Sequence, residues 1–427
     1  MRTTMEAART PDSPDAVAAG PAPLPRRGAL AVAFGAATAA LPSGARRATA
    51  AAADLLAPVR RAAGMLGGPG LVRSYAVEGG REAFDRAHAE TAYTYDNAVA
   101  GLALLAGGER ALAERLGDGL RLAQAQDRHW RDGRLRNAYA AGRQHEEAPR
   151  SARPPGWWDA ARGAWVEDGY AAGSATGPVA FAALLWLALD APRFREAARA
   201  ALGWVAREHA GGPGGGFTGG TLGHEPAPER QGWVSTEQNL DLAVAFARAG
   251  MREEAARAER FVRARWLPDE GRFAAGLRPD GAVDGTSALD ASLWPLLAWG
   301  DPAHARALDW VLARHGLPSG APAEELDGVD FNDDRDGTWL EGTAQAALVL
   351  RRAGREALAA RLLVTVLRHR DREGWVRAAS VPWLTTGLRN GEVPFLYPAR
   401  GHLAANAWGA LAALGVSPFG PPPPRRG

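Results

Sequence analysis

Four short runs along this 427-residue chain put a carboxylate at the start of an apolar stretch: Tyr95-Asp96-Asn97, Thr236-Glu237-Gln238-Asn239, Leu289-Asp290-Ala291 and Trp339-Leu340-Glu341-Gly342-Thr343. Two positioned carboxyls are enough to cleave an acetal such as a glycosidic bond. One protonates the leaving oxygen; the other activates water across a gap of about 6.5–9.5 Å, or attacks directly at about 5 Å. Glu237 and Glu341 are expected to be that pair, with Asp96 and Asp290 holding hydroxyls. Any of the four could equally be a plain helix N-cap or first-turn acid, since a helix N-terminus favours negative charge. The surroundings weigh towards a sugar site. Tyr93 and Tyr95 flank the first acid, Trp233 precedes Glu237, Trp339 precedes Glu341, and Trp157 and Trp158 crowd another long connection. Flat rings stack on the apolar faces of pyranoses. Those six aromatics, with Asn239 and His402, form the expected substrate-contacting set, whereas Trp186, Trp204, Trp294, Trp299 and Trp310 read as helix packing.

A second acidic stretch, 330–337, offers a metal alternative. Asn332, Asp334 and Asp336 followed by Gly337 match the core of a calcium loop. Thr343 then falls at the twelfth position, where glutamate is required. Starting from Asp330 puts Glu341 twelfth but Arg335 where the turn wants glycine. An acidic turn beside Glu341 and a solvated Asp-Gly turn are the competing readings. No cofactor is required by the expected chemistry. The absence of cysteine excludes thiol nucleophiles, disulfides and thiolate-bound zinc. The absence of lysine excludes a P-loop and a Schiff base. Histidines are scattered without zinc-ligand spacing.

These residues need elements to bring them together. Stretches 97–105, 179–189, 242–249, 289–299, 344–350 and 403–414 are apolar on every side. Alternating with them, 109–126, 194–209, 253–266, 303–315 and 355–368 carry Arg and Glu on one face, and 53–66 supplies a sixth outer helix. Helices apolar all round are buried and amphipathic ones face water. The alternation predicts an all-α fold, an (α/α)6 barrel of six helical hairpins with inner and outer rings. Inner helices begin near Asp96, Val179, Glu237, Leu289, Glu341 and Ala404. The connections that lead into them are long and rich in Trp, Asp, Gly and Tyr, so one rim carries the site.

With 46% hydrophobic residues and no composition break between about 53 and 419, the chain reads as one domain. Its net charge is +2 and its arginines are dispersed, which argues against nucleic acid. Arg26-Arg27 ahead of an apolar run to Leu41, then Ala48-Thr49-Ala50, resembles a twin-arginine export signal. Residues 1–52 are therefore expected to be a leader, 53–419 the barrel and 420–427 a Pro-rich tail. The apolar run is too short to span a bilayer. The expected product is an exported monomer whose partner is a carbohydrate.

The helix alternation over most of 54–419, with Tyr95-Asp96-Asn97, Thr236-Glu237-Gln238-Asn239 and Trp339-Leu340-Glu341-Gly342-Thr343, resembles the six-hairpin glycosidase superfamily, without matching one family's signature. That resemblance implies glycoside hydrolysis. The chain is also similar in size and toroid pattern to N-acylglucosamine 2-epimerases, in which histidine is the acid/base; His402 or His224 would take that part here. A polysaccharide lyase, a non-catalytic carbohydrate-binding barrel and a terpene-cyclase-like toroid are the remaining readings.

Overall fold

In the computed structural model the described residues are 43–77, 82–318, 325–390 and 393–421. The twin-arginine motif and its apolar run lie outside them. Among the described residues, six helices line the axis: α3 (Thr94–Ala106), α6 (Thr176–Leu189), α8 (Thr236–Ala249), α10 (Leu289–Ala298), α12 (Leu340–Arg352) and α14 (Leu403–Leu414). Each packs on the next, and α14 packs back on α3 to close the ring. Outside them run α1 (Ser43–Met65), α4 (Arg110–Ala125), α7 (Pro192–Glu208), α9 (Arg252–Arg263), α11 (Arg306–His315) and α13 (Glu356–Arg368). The (α/α)6 toroid is therefore present. No described helix is long and apolar enough to cross a membrane.

One expected boundary falls inside a helix. Helix α1 begins at Ser43, runs through Ala48-Thr49-Ala50, and Ala52 already belongs to the apolar core. The division expected at 52/53 thus falls inside a helix. At the other end Phe419 is buried against Phe181, Trp294 and Trp408, so the chain stays packed up to the start of the tail. Four inner helices, α3, α6, α8 and α12, start about one turn or more before their apolar stretches, whereas α10 and α14 start where expected. Thr236 to Asp241 and Leu340 to Thr343 are helical although most of them are polar, because those polar groups face the cavity and the rim.

Short antiparallel strands, which an all-α reading does not anticipate, join the rim. Their pairing shows how the ring is set. The first N–H of each inner helix donates to a carbonyl in the connection leading to the next one. Thr94 bonds Asn137, Thr176 Gly219, Thr236 Ala275, Leu289 Phe331, Leu340 Ala378 and Leu403 Ser74, at 2.8–3.3 Å. The sixth bond returns to the connection before α3, so the cycle is closed by hydrogen bonds as well as by packing. These N–H groups would otherwise be unsatisfied at a helix start.

The fourth residue of five inner helices grips the rim from below. Asn97 accepts from and donates to Val72 (2.8 and 2.9 Å), Asn239 does the same with Phe217 (2.8 and 2.9 Å), and Asn406 accepts from Val376 (2.8 Å). Ser292 accepts from Phe273 and Thr343 from Val329. In α6 the same position is Val179.

Candidate active site

The second residue of an inner helix points toward the axis. In α3 it is Tyr95, and in α8, α10 and α12 it is Glu237, Asp290 and Glu341. The Tyr95 hydroxyl donates to Glu341 Oε1 at 2.6 Å while accepting from Trp408 Nε1 at 2.8 Å. In α6 the position is Gly177, where a Cβ would come within 2.9 Å of Gln238 and 3.4 Å of Asp241. The glycine leaves room for the Gln238 side chain, which accepts from its N–H.

These acids lie close enough to act on one another electrostatically. Glu237 keeps a partly open face, yet loss of water and repulsion from Asp290 and then Glu341 hold its carboxyl well above the usual range. Burial pushes Asp290 up to about 7 against the N–H groups of Ala291 and its own residue, which pull it down. Burial also pushes Glu341 up to about 7, opposed by His402 and by the Tyr95 hydroxyl. One turn below Glu237, Asp241 is buried and raised by desolvation and by Glu237 and Asp290; its Oδ1 has no partner. Such shifts are what acid–base chemistry near neutral pH requires.

Asp96 lies at the third position of α3 and approaches His402 Nε2 at 3.2 Å. The other ring nitrogen, Nδ1, faces Glu341 Oε2 at 3.8 Å, and neither of those two atoms has a protein partner. Burial lowers the imidazole pKa, but Asp96 and then Glu341 outweigh it, so the net shift is upward. Tyr75 stacks on this ring at 4.6 Å. Asp96 and His402 thus lie in the cluster. His224 is exposed, in the connection between α7 and α8.

Aromatic residues are where the expectation changes most. Trp339 is 1% exposed, wedged between Phe331 (4.9 Å) and Tyr397 (5.3 Å); it packs the wall and presents no platform. Asn239 is likewise withdrawn. Its carboxamide is used up on Phe217 and on the Ser235 carbonyl, so it is a strut. Trp233 lies flat over Gly219, where a Cβ would be 2.3 Å from its ring, and donates to Gln231. Trp157 and Trp158 sit on a rim hairpin (Gly156–Asp159 with Ala164–Glu167); Trp158 is exposed and Trp157 half-buried. That hairpin packs on the short helix α2 (Ala83–His88), whose Phe84 and His88 rest on Tyr75. The hydroxyl of Tyr93 pairs with His88 Nε2 at 3.1 Å. Tyrosines line the acids more than tryptophans do. Tyr75, Tyr170 and Tyr397, none of them expected, are held un-ionised by burial and by the neighbouring carboxylates. Tyr170 sits in the single-turn helix α5 (Gly169–Ala172), anchored through its carbonyl to Asn137. The loop beneath is tied by buried Arg136, bonded to Asp127 (2.6 Å) and Glu225 (2.9 Å).

In the calcium registers both twelfth-position side chains are engaged elsewhere: Glu341 accepts from Tyr95 and Thr343 accepts from Val329. Asn332 is spent on Asp334, accepting from its N–H and donating to its carboxylate. Oxygens of Asp330, Asp334 and Asp336 do lie within 4.8 Å of one another, but Asp334 and Asp336 hold Thr385 of the hairpin Trp383–Asn390/Val393–Pro398. The turn anchors that hairpin over the rim.

No protein-family model and no curated protein matches the chain. Solved structures do. A wild-type glycosidase aligns over 88% of this chain and 99% of its own at 15% identity, with a TM-score of 0.57. A glycosidase variant in complex with glucose aligns over the same shares at 14% identity and 0.57. Cellobiose 2-epimerase from Bacillus thermoamylovorans B4167 covers 86% of this chain and 99% of its own at 9% identity, with a TM-score of 0.58. The toroid fold is common to all of them and to this chain.

Proposed function

We propose that this protein is a carbohydrate-active enzyme that hydrolyses a glycosidic bond by two-carboxylate catalysis. The observation that carries the reading is the convergence of Glu237, Asp290 and Glu341 from three separate inner-helix starts, each with a raised pKa. A plain N-cap acid looks different: partly exposed Asp301 caps a helical turn by accepting from Ala303, and its pKa is lowered by that bond and by Arg263. Glu237, whose proton is retained by burial and by repulsion from Asp290 and Glu341, is the donor to the leaving oxygen. Glu341, with His402 beside its free oxygen, is the base or nucleophile. Asp290 keeps Glu237 protonated by repulsion, and the tyrosine wall receives the sugar.

Each of Glu237→Gln and Glu341→Gln should keep the fold and sugar binding yet lower turnover by about 10²–10⁴-fold on an active saccharide. Near-normal turnover in both, with Asp96→Asn or Asp290→Asn inactive, would reassign the pair. Inactivity of none of the four would sink two-carboxylate catalysis.

One observation supports an epimerase instead: the Asp96–His402 pair, with Tyr75 stacked on the ring, is a ready base for a proton beside a carbonyl. Incubation with a reducing disaccharide in deuterated water separates the two. Deuterium at the carbon next to the carbonyl without cleavage means epimerisation, while release of a monosaccharide means hydrolysis. Export through the leader and a monomeric state remain part of the proposal, tested by N-terminal sequencing of native protein and by sedimentation.

A further inference from the structure

The same rim carries a second cavity, of about 600 Å³, outside the acid cluster. Arg272, Thr286, Ser287, Trp310, Arg314 and Asn332 are among the residues that line it, with Gly387 of the long hairpin above. Its volume lies within the range of about 300–1,000 Å³ typical of small-molecule sites. Ser287 is three residues before Asp290, so their Cα atoms are at most about 11 Å apart.

Arg272 gives the cavity its chemistry. It is 9% exposed; its Nε donates to Glu270 at 2.6 Å, but its Nη1 is buried without a partner. A buried charged donor left unmet is costly, and an oxygen acceptor entering the cavity would relieve it. Its guanidinium lies 5.1 Å from the Trp310 ring, and that half-buried indole supplies a flat surface.

Ser287 supplies the complement. His315 Nδ1 faces the Asp330 carbonyl at 3.2 Å, and a carbonyl can only accept, so Nδ1 carries the hydrogen. Burial holds the ring down to about 4, hence neutral, which makes Nε2 an acceptor. The Ser287 hydroxyl, 2.9 Å away, must donate to it, which leaves the Oγ lone pairs free to accept. Charges in the wall are already matched: Arg272 with Glu270, and Arg314 with Asp333 at 2.8 Å. With two cations facing two anions, the cavity has no net charge to draw an ion.

We propose that this cavity is a second saccharide site that takes one neutral pyranose, with the Arg272 guanidinium donating to a sugar oxygen, Ser287 Oγ accepting from a hydroxyl and Trp310 as the flat support. The choice of ligand class rests on the carbohydrate reading above; the site itself rests on the unmet donor and the free acceptor.

Binding of glucose and, separately, glucuronate to the full chain, followed by saturation-transfer NMR, tests it. Arg272→Met and Ser287→Ala should each weaken glucose binding at this site by about tenfold or more, the loss of one charged or one neutral hydrogen bond with its partner stranded. Thermal unfolding run alongside shows whether each variant is folded, and Ser287→Ala, which removes one atom, covers the case in which Arg272→Met is not. Glucose binding insensitive to both changes, or no glucose binding that depends on them, overturns the proposal. So does a requirement for the carboxylate of glucuronate. Failure of the hydrolase reading appears elsewhere, as unaltered turnover in Glu237→Gln and Glu341→Gln, and leaves this binding result standing.

Discussion

Replacing Asp290 by asparagine should make the protein more stable at neutral pH and less active, and the structure gives the size of the first effect. Asp290 sits at about 7 where an unburied aspartate has 3.8. An acid whose pKa is raised on folding binds its proton more tightly in the fold. The folded state is therefore favoured at low pH and loses stability as pH climbs from the unfolded value to the folded one. About three units at roughly 1.4 kcal/mol each make a full penalty of about 4 kcal/mol above pH 7, of which about 2–3 kcal/mol accrues between pH 5 and 7.5. Asparagine carries no such penalty, and its side-chain oxygen can still accept from the Ala291 N–H, as Asp290 does at 2.9 Å. The stability difference between variant and parent should therefore grow with pH by about 2–3 kcal/mol, and by more if Glu237 and Glu341, which Asp290 also pushes up, are relieved together. Melting temperatures at pH 5 and 7.5 read this directly; each kcal/mol moves a chain of 150–250 residues by about 2–4 °C, and a longer one by less. Turnover measured on the same samples should fall. A stability difference that stays constant with pH, or shrinks, would refute the claim that burial of a carboxylate charge governs this site.

Two further outcomes follow from single side chains. Tyr95→Phe removes the hydroxyl that helps hold Glu341 ionised, so the limb of the kcat/KM–pH profile set by Glu341 should move to higher pH, by about one unit at most for one hydrogen bond; an unmoved or acid-shifted limb would show that Glu341 does not set it. Asn239→Ala strips partners from the Phe217 N–H and from two carbonyls and should cost about 2–4 kcal/mol of stability; unchanged melting with weakened sugar binding would return Asn239 to the substrate-contacting role expected from sequence.

Much of the toroid is legible because burial writes itself along a helix. Residues 179–189 of α6 are apolar on every side and are buried almost throughout, whereas α4 and α9 keep one charged face. The helix starts are less legible, since Thr236, Gln238 and Asn239 are polar for reasons outside α8: a bond to Ala274, a bond from Gly177 and the grip on Phe217. The recurrence of Asn97, Asn239, Ser292, Thr343 and Asn406 three residues after each start is a periodic signal that apolar patterning passes over. Trp339 misleads because a tryptophan beside an acid looks like a sugar platform, and only the third dimension puts Phe331 and Tyr397 over its faces. Tyr75, Tyr170 and Tyr397 lie in connections whose course no periodicity describes. Asp241 alone had a readable cue, its place one turn after Glu237 on the same helix face.

The contrast between Asp290 and Asp301 shows why the acids at inner-helix starts are more than caps. The unpaired N–H groups of a helix start favour a nearby carboxylate's charge and lower its pKa. That is what happens at partly exposed Asp301, where the Ala303 N–H and Arg263 pull the same way. Glu237, Asp290 and Glu341 occupy equally favourable positions and are nevertheless raised. Desolvation and mutual repulsion must therefore outweigh the helix ends. A ring of inner helices makes this unavoidable, because it turns several N-termini toward one dry space and brings their acids within reach of one another. The arrangement works against stability, and the closed cycle of backbone bonds from Thr94 through Leu403, with the five struts below it, holds those charges together against their repulsion. On this argument, weakening a strut should loosen the acid cluster before it opens the core, so Asn239→Ala should also lower the pKa of Glu237 as water enters.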